Sequence, residues 1–249
     1  MLGRLRRLGQ IARAEGPAEA VRTAWFYLRR RRPVRQWKAA GGHYGTRFDF
    51  DVDADDVILD VGGYDGNYTA DFLDRHDPGR IHVFEPVSRF QERIADRFAA
   101  DDRVVLHEYR LGGRTRVQEI AVGGSASSLY RPNMDDTEYV HVRDVQEVVD
   151  ELGYGDVKLL KLNAEGAEFE ILGRLIEVDY LARFENVQVS FHHVVDDPVG
   201  KREAIRAQLS ETHELNYDYP FVMEEWTRRA DVSPRVAAGG VDARASTVD

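Results

Sequence analysis

Apolar positions recur along the chain at two alternating spacings. Short apolar runs at 57–61, 81–84, 104–106, 157–162 and 187–191 predict five strands. Between them, helical spacing predicts helices over 67–76, 87–100, 167–177 and 200–211; in the second of these, Phe90, Ile94 and Phe98 recur every four residues. Strand and helix taking turns implies βαβ crossovers, hence a mainly parallel, doubly wound α/β sheet covered on both faces. Residues 116–143 break the rhythm. They are richer in Ser and Gly, and alternations such as Tyr139-Val140-His141-Val142 predict β-structure or loops inserted before the fourth unit.

The ends of the chain read differently from its middle. Leu2, Leu5, Leu8 and Ile11 share one side of a first short helix. Gly16-Pro17 interrupts the pattern, and Val21, Ala24, Trp25 and Leu28 resume it in a second helix expected to stop at Arg29–Arg32 and Pro33. Three parts are therefore expected: a basic amphipathic arm over 1–42, a catalytic domain over 43–230, and a disordered tail over 231–249, where Pro, Gly, Ala and Ser lack apolar periodicity.

Charge sharpens this division. Residues 1–38 carry a net +9 in a chain whose total is −10, so the remainder carries −19. An acidic body lacks the continuous basic footprint that nucleic acid needs, so no nucleic-acid partner is expected. The arm, with Trp25, Phe26 and Tyr27 among its arginines, suits either peripheral contact with an anionic membrane or packing on the body. Cysteine is absent, which removes disulfides, thiolate metal sites and a cysteine nucleophile, and no zinc site is expected. No apolar stretch approaches the roughly 20 residues of a spanning helix. Arginines interrupt any signal-peptide core. A cytoplasmic protein, possible at the inner membrane face through its arm, is the expectation.

The chemistry starts at Asp60-Val61-Gly62-Gly63-Tyr64-Asp65-Gly66, a strand running into a glycine turn and then a helix. Such a turn lets a ligand approach the backbone at the carboxyl edge of the sheet. The dinucleotide pattern G-x-G-x-x-G fails, because its positions hold Gly62, Tyr64 and Asn67. Acids at both ends of the turn disfavour an anion and favour a cationic ligand with hydroxyls and an amine, as S-adenosylmethionine (SAM) is. Glu85 ends the second strand, where a carboxylate can accept two hydrogen bonds from a ribose diol.

Residues 59–66, then Phe84-Glu85-Pro86, then Leu160-Lys161-Leu162-Asn163-Ala164-Glu165-Gly166-Ala167-Glu168, together resemble the FkbM family of SAM-dependent methyltransferases. The resemblance implies a class I methyltransferase (Rossmann-like) sheet, SAM as cofactor, and O-methylation of a hydroxyl, often on a sugar or natural-product scaffold. By similarity, Asp60, Gly62, Gly66 and Glu85 take SAM-binding positions, with Gly63, Tyr64 and Asp65 in the same turn. Two positions depart from the family: Gly63-Tyr64 stands where Ala-Asn is usual, and Asn163 stands where the K-x-D-x-E-G segment has Asp. Asn cannot act as a base near neutral pH. The 187–192 stretch resembles a branch in which such an Asn accompanies a strand-end His; of His192 and His193, which point to opposite faces, His192 matches that branch and is the expected proton acceptor.

Around His192 the expected catalytic set is Glu165, Asn163 and Lys161. Glu165 and Glu168, three apart at a strand-to-helix junction, suit either acceptor hydroxyls or a hard cation, or simply an acidic helix start. Lys161 inside an apolar strand needs a carboxylate, with Glu165 and Asp60 as candidates. The acceptor, a small molecule or glycan, is expected among residues 116–143 and around Tyr217, Tyr219 and Trp226, whose aromatics suit sugar stacking or the core. The competing readings are a nucleotide-sugar or NAD-dependent enzyme on a similar sheet and a non-catalytic SAM-fold binding module.

Overall fold

The computed structural model describes residues 12–13, 16–42, 45–123, 126–128 and 137–234. The first expected helix up to residue 11, the tail beyond 234 and the middle of the insertion lie outside the described residues. Two compact units are formed: a smaller one up to Asp49 together with Tyr219–Val222, and a larger one of Phe50–Asp218 with the chain from Met223 onward.

In the smaller unit, α1 (Pro17–Ala39) starts at Gly16-Pro17 as the sequence predicts. Its end differs. The helix does not stop at Pro33 but continues for six further residues. A proline inside a helix removes one hydrogen bond and crowds the carbonyl four residues earlier. The following turns offset that loss by burying Trp37, and the end is closed by Ala40 N donating to Gln36 O and Gly42 N to Trp37 O, both at 2.9 Å. Gly42 lies so close under the Trp37 indole that a Cβ would stand 2.2 Å from Nε1. The indole thereby sets where the helix terminates.

The larger unit is built on β1 (Val57–Val61), β2 (Arg80–Phe84) and β3 (Val104–His107). β4 (Arg110–Gly112), β5 (Arg116–Gly123), β6 (Ala126–Ser128) and β7 (Thr137–Asp144) follow, then β8 (Val157–Leu162), β9 (Phe184–Val189), β10 (His213–Tyr219) and β11 (Met223–Arg228). Seven strands form one sheet in the order β10-β11-β9-β8-β1-β2-β3. The five from β3 to β9 are parallel neighbours, and β11 runs antiparallel to β9. β1 is buried throughout its length, as a strand covered on both faces must be, which is why it reads as an unbroken apolar run. The expected fifth strand begins three residues and ends two residues earlier than its apolar run implies, so residues 190–193 form the loop beyond it.

Between the strands lie α2 (Asn67–Leu73), α3 (Ser88–Arg97), α4 (Val145–Leu152), α5 (Glu168–Glu177) and α6 (Pro198–Thr212). Phe90 and Ile94 are the buried face of α3. The start of α4 is fixed by Asp144, whose side chain accepts from Gln146 N at 2.8 Å, and its end by Gly153 in the left-handed region.

The insertion is a second sheet, ordered β4-β7-β5-β6. Ile120, Val122, Val140 and Val142 on its inner face join Val87 and Phe90 in one apolar cluster. Alternation of buried and exposed positions along β7 shows a sheet with one face on the core and the other in water. Among the described residues no helix is long and apolar enough to cross a membrane.

Candidate active site

The site begins inside β1. Asp60 pairs in register with Val83 on one side and Lys161 on the other, and it is fully buried. A buried carboxylate must be matched by hydrogen bonds and a countercharge. Lys161 Nζ donates to Asp60 Oδ1 at 2.6 Å and to Gly62 O at 3.1 Å, while Thr69 Oγ1 donates to Oδ2 at 2.7 Å. Lys161 Nζ also stands 5.0 Å from the Tyr68 ring centroid. Asp60, expected to touch the cofactor, and Lys161, expected among the catalytic groups, therefore answer each other beneath the turn. Their contacts hold β1, β8 and α2 together and fix the Gly62 carbonyl.

The turn above them is made of backbone that few side chains allow. Gly62 has φ 86°, and a Cβ there would stand 2.2 Å from Asn163 O. A Cβ on Gly63 would meet Val83 Cγ1 at 2.3 Å, so the family's alanine has no room over this β2. Tyr64 has φ 54°, a region that Asn enters more easily. Its ring is held against Phe90, with centroids 4.4 Å apart. Gly66, at φ 75°, opens α2. Asp65 faces that helix rather than the cleft, its Oδ1 accepting from Asn67 N at 3.4 Å and its carbonyl from Arg97.

Glu85 is just beyond β2 and only 5% exposed. Its Oε2 accepts from Tyr64 N at 2.8 Å and its Oε1 from Val87 N at 3.0 Å. Burial pushes its pKa up to about 7, against the opposing pull of those two N–H groups and of Lys161. Each oxygen keeps acceptor capacity for another donor.

An open cleft joins Gly62, Tyr64, Glu85 and Pro86 to Asn163, Ala164 and Glu165, with Phe90, Leu111 and Ile120 as an apolar wall. The second sheet thus supplies part of the cleft, through Leu111 of β4 and Ile120 of β5. Arg110 lines the same cleft, 7% exposed, with Nη2 donating to Ala164 O at 3.3 Å. No motif singles out this arginine among thirty; the pairing of β4 with β7 places it at the cleft. Asn163 is exposed at the cleft and takes part through its backbone, its N donating to Val61 O at 3.0 Å.

Beyond Glu165 the loop turns through two left-handed residues, Glu165 (φ 48°) and Gly166 (φ 108°), and brings His192 to the same corner. Glu168 is fully buried. Its Oε2 accepts from Gly166 N at 2.9 Å; its Oε1 accepts from His192 N at 2.7 Å and lies 3.1 Å from His192 Nδ1. Burial pushes the Glu168 pKa up, but the charge and hydrogen bonds of His192 outweigh it, and the net direction is down. An ionised Glu168 requires Nδ1 to carry a proton, which leaves Nε2 facing Glu165 Oε1 at 3.5 Å. Glu165, His192 and Glu168 are thus brought together; Asn163 is near them along the chain, whereas Lys161 belongs to the buried pair. Neither sequence reading of Glu168, as a ligand for hydroxyls or a hard cation or as part of an acidic helix start, contained its grip on the imidazole.

Of the aromatics expected either to stack on an acceptor or to be core, two lie in the larger unit. Trp226 is core, 3% exposed, with the Arg206 guanidinium 5.3 Å from its ring centroid. Tyr217 OH is engaged by Gln188 Nε2 at 3.2 Å. Among the described residues no group of three or more His, Asp or Glu could hold a metal ion.

The cleft fits an adenosyl-sulfonium cofactor: a buried carboxylate with acceptor capacity for a diol, a turn without a Cβ at Gly62, an apolar wall, and the Glu165 carboxylate. Seven strands with an antiparallel β11, a glycine turn after β1 and an acid after β2 define a Rossmann-like domain of the class I methyltransferase type. Residues 60–219 match the Methyltransferase FkbM domain, and the chain belongs to that family of SAM-dependent methyltransferases. Its fold is similar to that of the FkbM methyltransferase of Methylobacillus flagellatus KT, with a TM-score of 0.51 and 14% identity over 74% of this chain and 46% of that one. The chain spans about half the length of that relative. Weaker likeness extends to an rRNA methylase of Streptococcus thermophilus (TM-score 0.40, 10% identity, 71% of this chain and 89% of that one). SMU.1697c of Streptococcus mutans, solved in complex with SAH, is comparable (0.41, 10%, 72% and 91%). No curated protein matches the sequence.

Proposed function

We propose that this chain is a SAM-dependent O-methyltransferase acting on a hydroxyl of a sugar, glycan or glycolipid. The observation that carries the reading is Glu165, which lines the cofactor cleft and also faces His192 Nε2. Bound in the cleft, SAM supplies an electrophilic methyl group on a positive sulfur. Glu85 would hold the ribose hydroxyls, and the Gly62 turn would let the cofactor approach the backbone. In the neutral ring, with Nδ1 protonated, His192 Nε2 takes the acceptor's hydroxyl proton as the oxygen attacks; the imidazolium so formed is the charged state that favours an ionised Glu168. Glu168 keeps the imidazole in the tautomer with Nδ1 protonated, and both carboxylates stabilise the imidazolium that results. The sugar class of acceptor rests on the family resemblance.

Calorimetry with SAM, followed by transfer of labelled methyl from SAM to cell glycan and lipid extracts, tests this reading. His192→Ala should keep SAM affinity and lose transfer by roughly 10²–10⁴-fold. Uptake of NADH without uptake of SAM would defeat it. A second reading, a non-catalytic SAM-binding module, is favoured by Asn163 standing where the family has Asp; SAM binding without transfer in any extract would support that one instead.

A further inference from the structure

One face of α1 is exposed. Val21 and Leu28 are exposed, at 67% and 59%, and Ala24 between them is half-buried. Spacings of three and four place them on a single stripe. Continued toward the C-terminus, the same stripe carries Arg31, Arg32, Arg35 and Lys38, all exposed. None of these four has an ion pair among the described residues. Trp37 is buried on the opposite side of the helix. The stripe is thus apolar in its first half and cationic in its second.

We infer that this stripe is a docking surface for an anionic lipid bilayer. A helix lying in the plane of a membrane places aliphatic side chains at the acyl boundary and its cations among the headgroups. Charge supports that occupant. Residues 1–38 carry +9 and the rest of the chain −19, so an anionic surface attracts the arm and repels the body. RNA would use the arginines equally well, but phosphate recognition gives no purpose to exposed Val21 and Leu28 in line with them. A hydrocarbon boundary does. The inference is independent of the acceptor assignment above.

Flotation of the full chain with vesicles tests it. Vesicles of phosphatidylcholine with about one-third phosphatidylglycerol should carry the protein, whereas pure phosphatidylcholine should carry far less. Each basic residue near such a surface is worth about 1 kcal/mol, roughly fivefold in partitioning. Combined Arg31→Glu, Arg32→Glu, Arg35→Glu and Lys38→Glu should lower partitioning at least about 100-fold. Leu28→Gln should lower it as well, and both variants should keep the SAM affinity of the parent, which reports an intact cleft. Equal partitioning into both vesicle types, or undiminished binding by the charge variant, would overturn the inference. So would binding to transfer RNA that displaces the vesicles and is indifferent to Leu28→Gln.

Discussion

Glu85 is held at the edge of ionisation. With its pKa raised to about 7 by burial, the cofactor-free cleft holds a mixed population of acid and carboxylate near neutral pH. Hydroxyl donors of a ribose favour the carboxylate, so SAM affinity should rise from pH 6 to pH 8, roughly tenfold if only the ionised form binds. Calorimetry across that range checks it; a flat profile would show that the diol does not bond to Glu85. Gly62 is constrained differently, by a positive φ and by a carbonyl 2.2 Å from where a Cβ would be. Gly62→Ala should cost about 2–4 kcal/mol in denaturant unfolding, from left-handed strain plus the backbone shift needed to clear Asn163 O. The places of Glu85 and Gly62 on the cleft were legible in the sequence, because a strand end and a glycine turn fix both positions locally. Arg110 and Glu168 were not, since their partners, Ala164 O and His192, are 54 and 24 residues away.

Elements are joined at this site by one buried ion pair. Lys161 reaches from β8 to Asp60 of β1, and Thr69 of α2 completes the carboxylate's partners. Lys161→Met leaves a buried carboxylate without its countercharge and should destabilise the fold by about 3–5 kcal/mol. Adding Asp60→Asn should recover much of that loss, because neither remaining group then needs a countercharge. Chemical denaturation of the two single variants and the double variant measures the coupling; additive losses would mean that the pair does not join the strands. The sequence indicated a carboxylate partner for Lys161 but left two candidates, which strand register alone decided. Strands and helices of the parallel sheet were legible through their apolar runs. α1 beyond Pro33 was not, because the burial of Trp37 that sustains it depends on contacts a local pattern does not contain. The second sheet was visible only as an alternating stretch, for its inner face becomes apolar core only when Ile120 and Val142 meet Phe90 of α3.

Across the whole molecule, buried titratable groups set opposing responses to acid. His82 Nδ1 and His107 Nε2 share a hydrogen bond of 2.8 Å between β2 and β3, and the outer nitrogens face Tyr154 and Tyr109. Burial is the largest cause lowering both pKa values, each to about 4 from an ordinary 6.5. As pH falls below 6.5 the unfolded chain takes up these protons first, so stability is lost progressively until about pH 4. Glu85 has the opposite sign. From pH 7 down to about 4.5 the folded chain takes up the Glu85 proton while the unfolded chain does not, so acidification adds stability there, at most about 3 kcal/mol. Buried His213, its pKa lowered by burial, acts with these two histidines, and buried Glu224, its pKa raised by burial, acts with Glu85. Three histidines oppose two glutamates, so the melting temperature should fall between pH 6.5 and pH 4. Glu168, whose pKa is lowered, adds to the fall as it becomes protonated below its ordinary range. Replacing Glu85 by Gln removes the compensating proton and should steepen the decline between pH 6.5 and 4.5, whereas His107→Gln should make it shallower. Melting curves that respond in the reverse order would mean that the histidine pair between β2 and β3 is already charged in the folded protein.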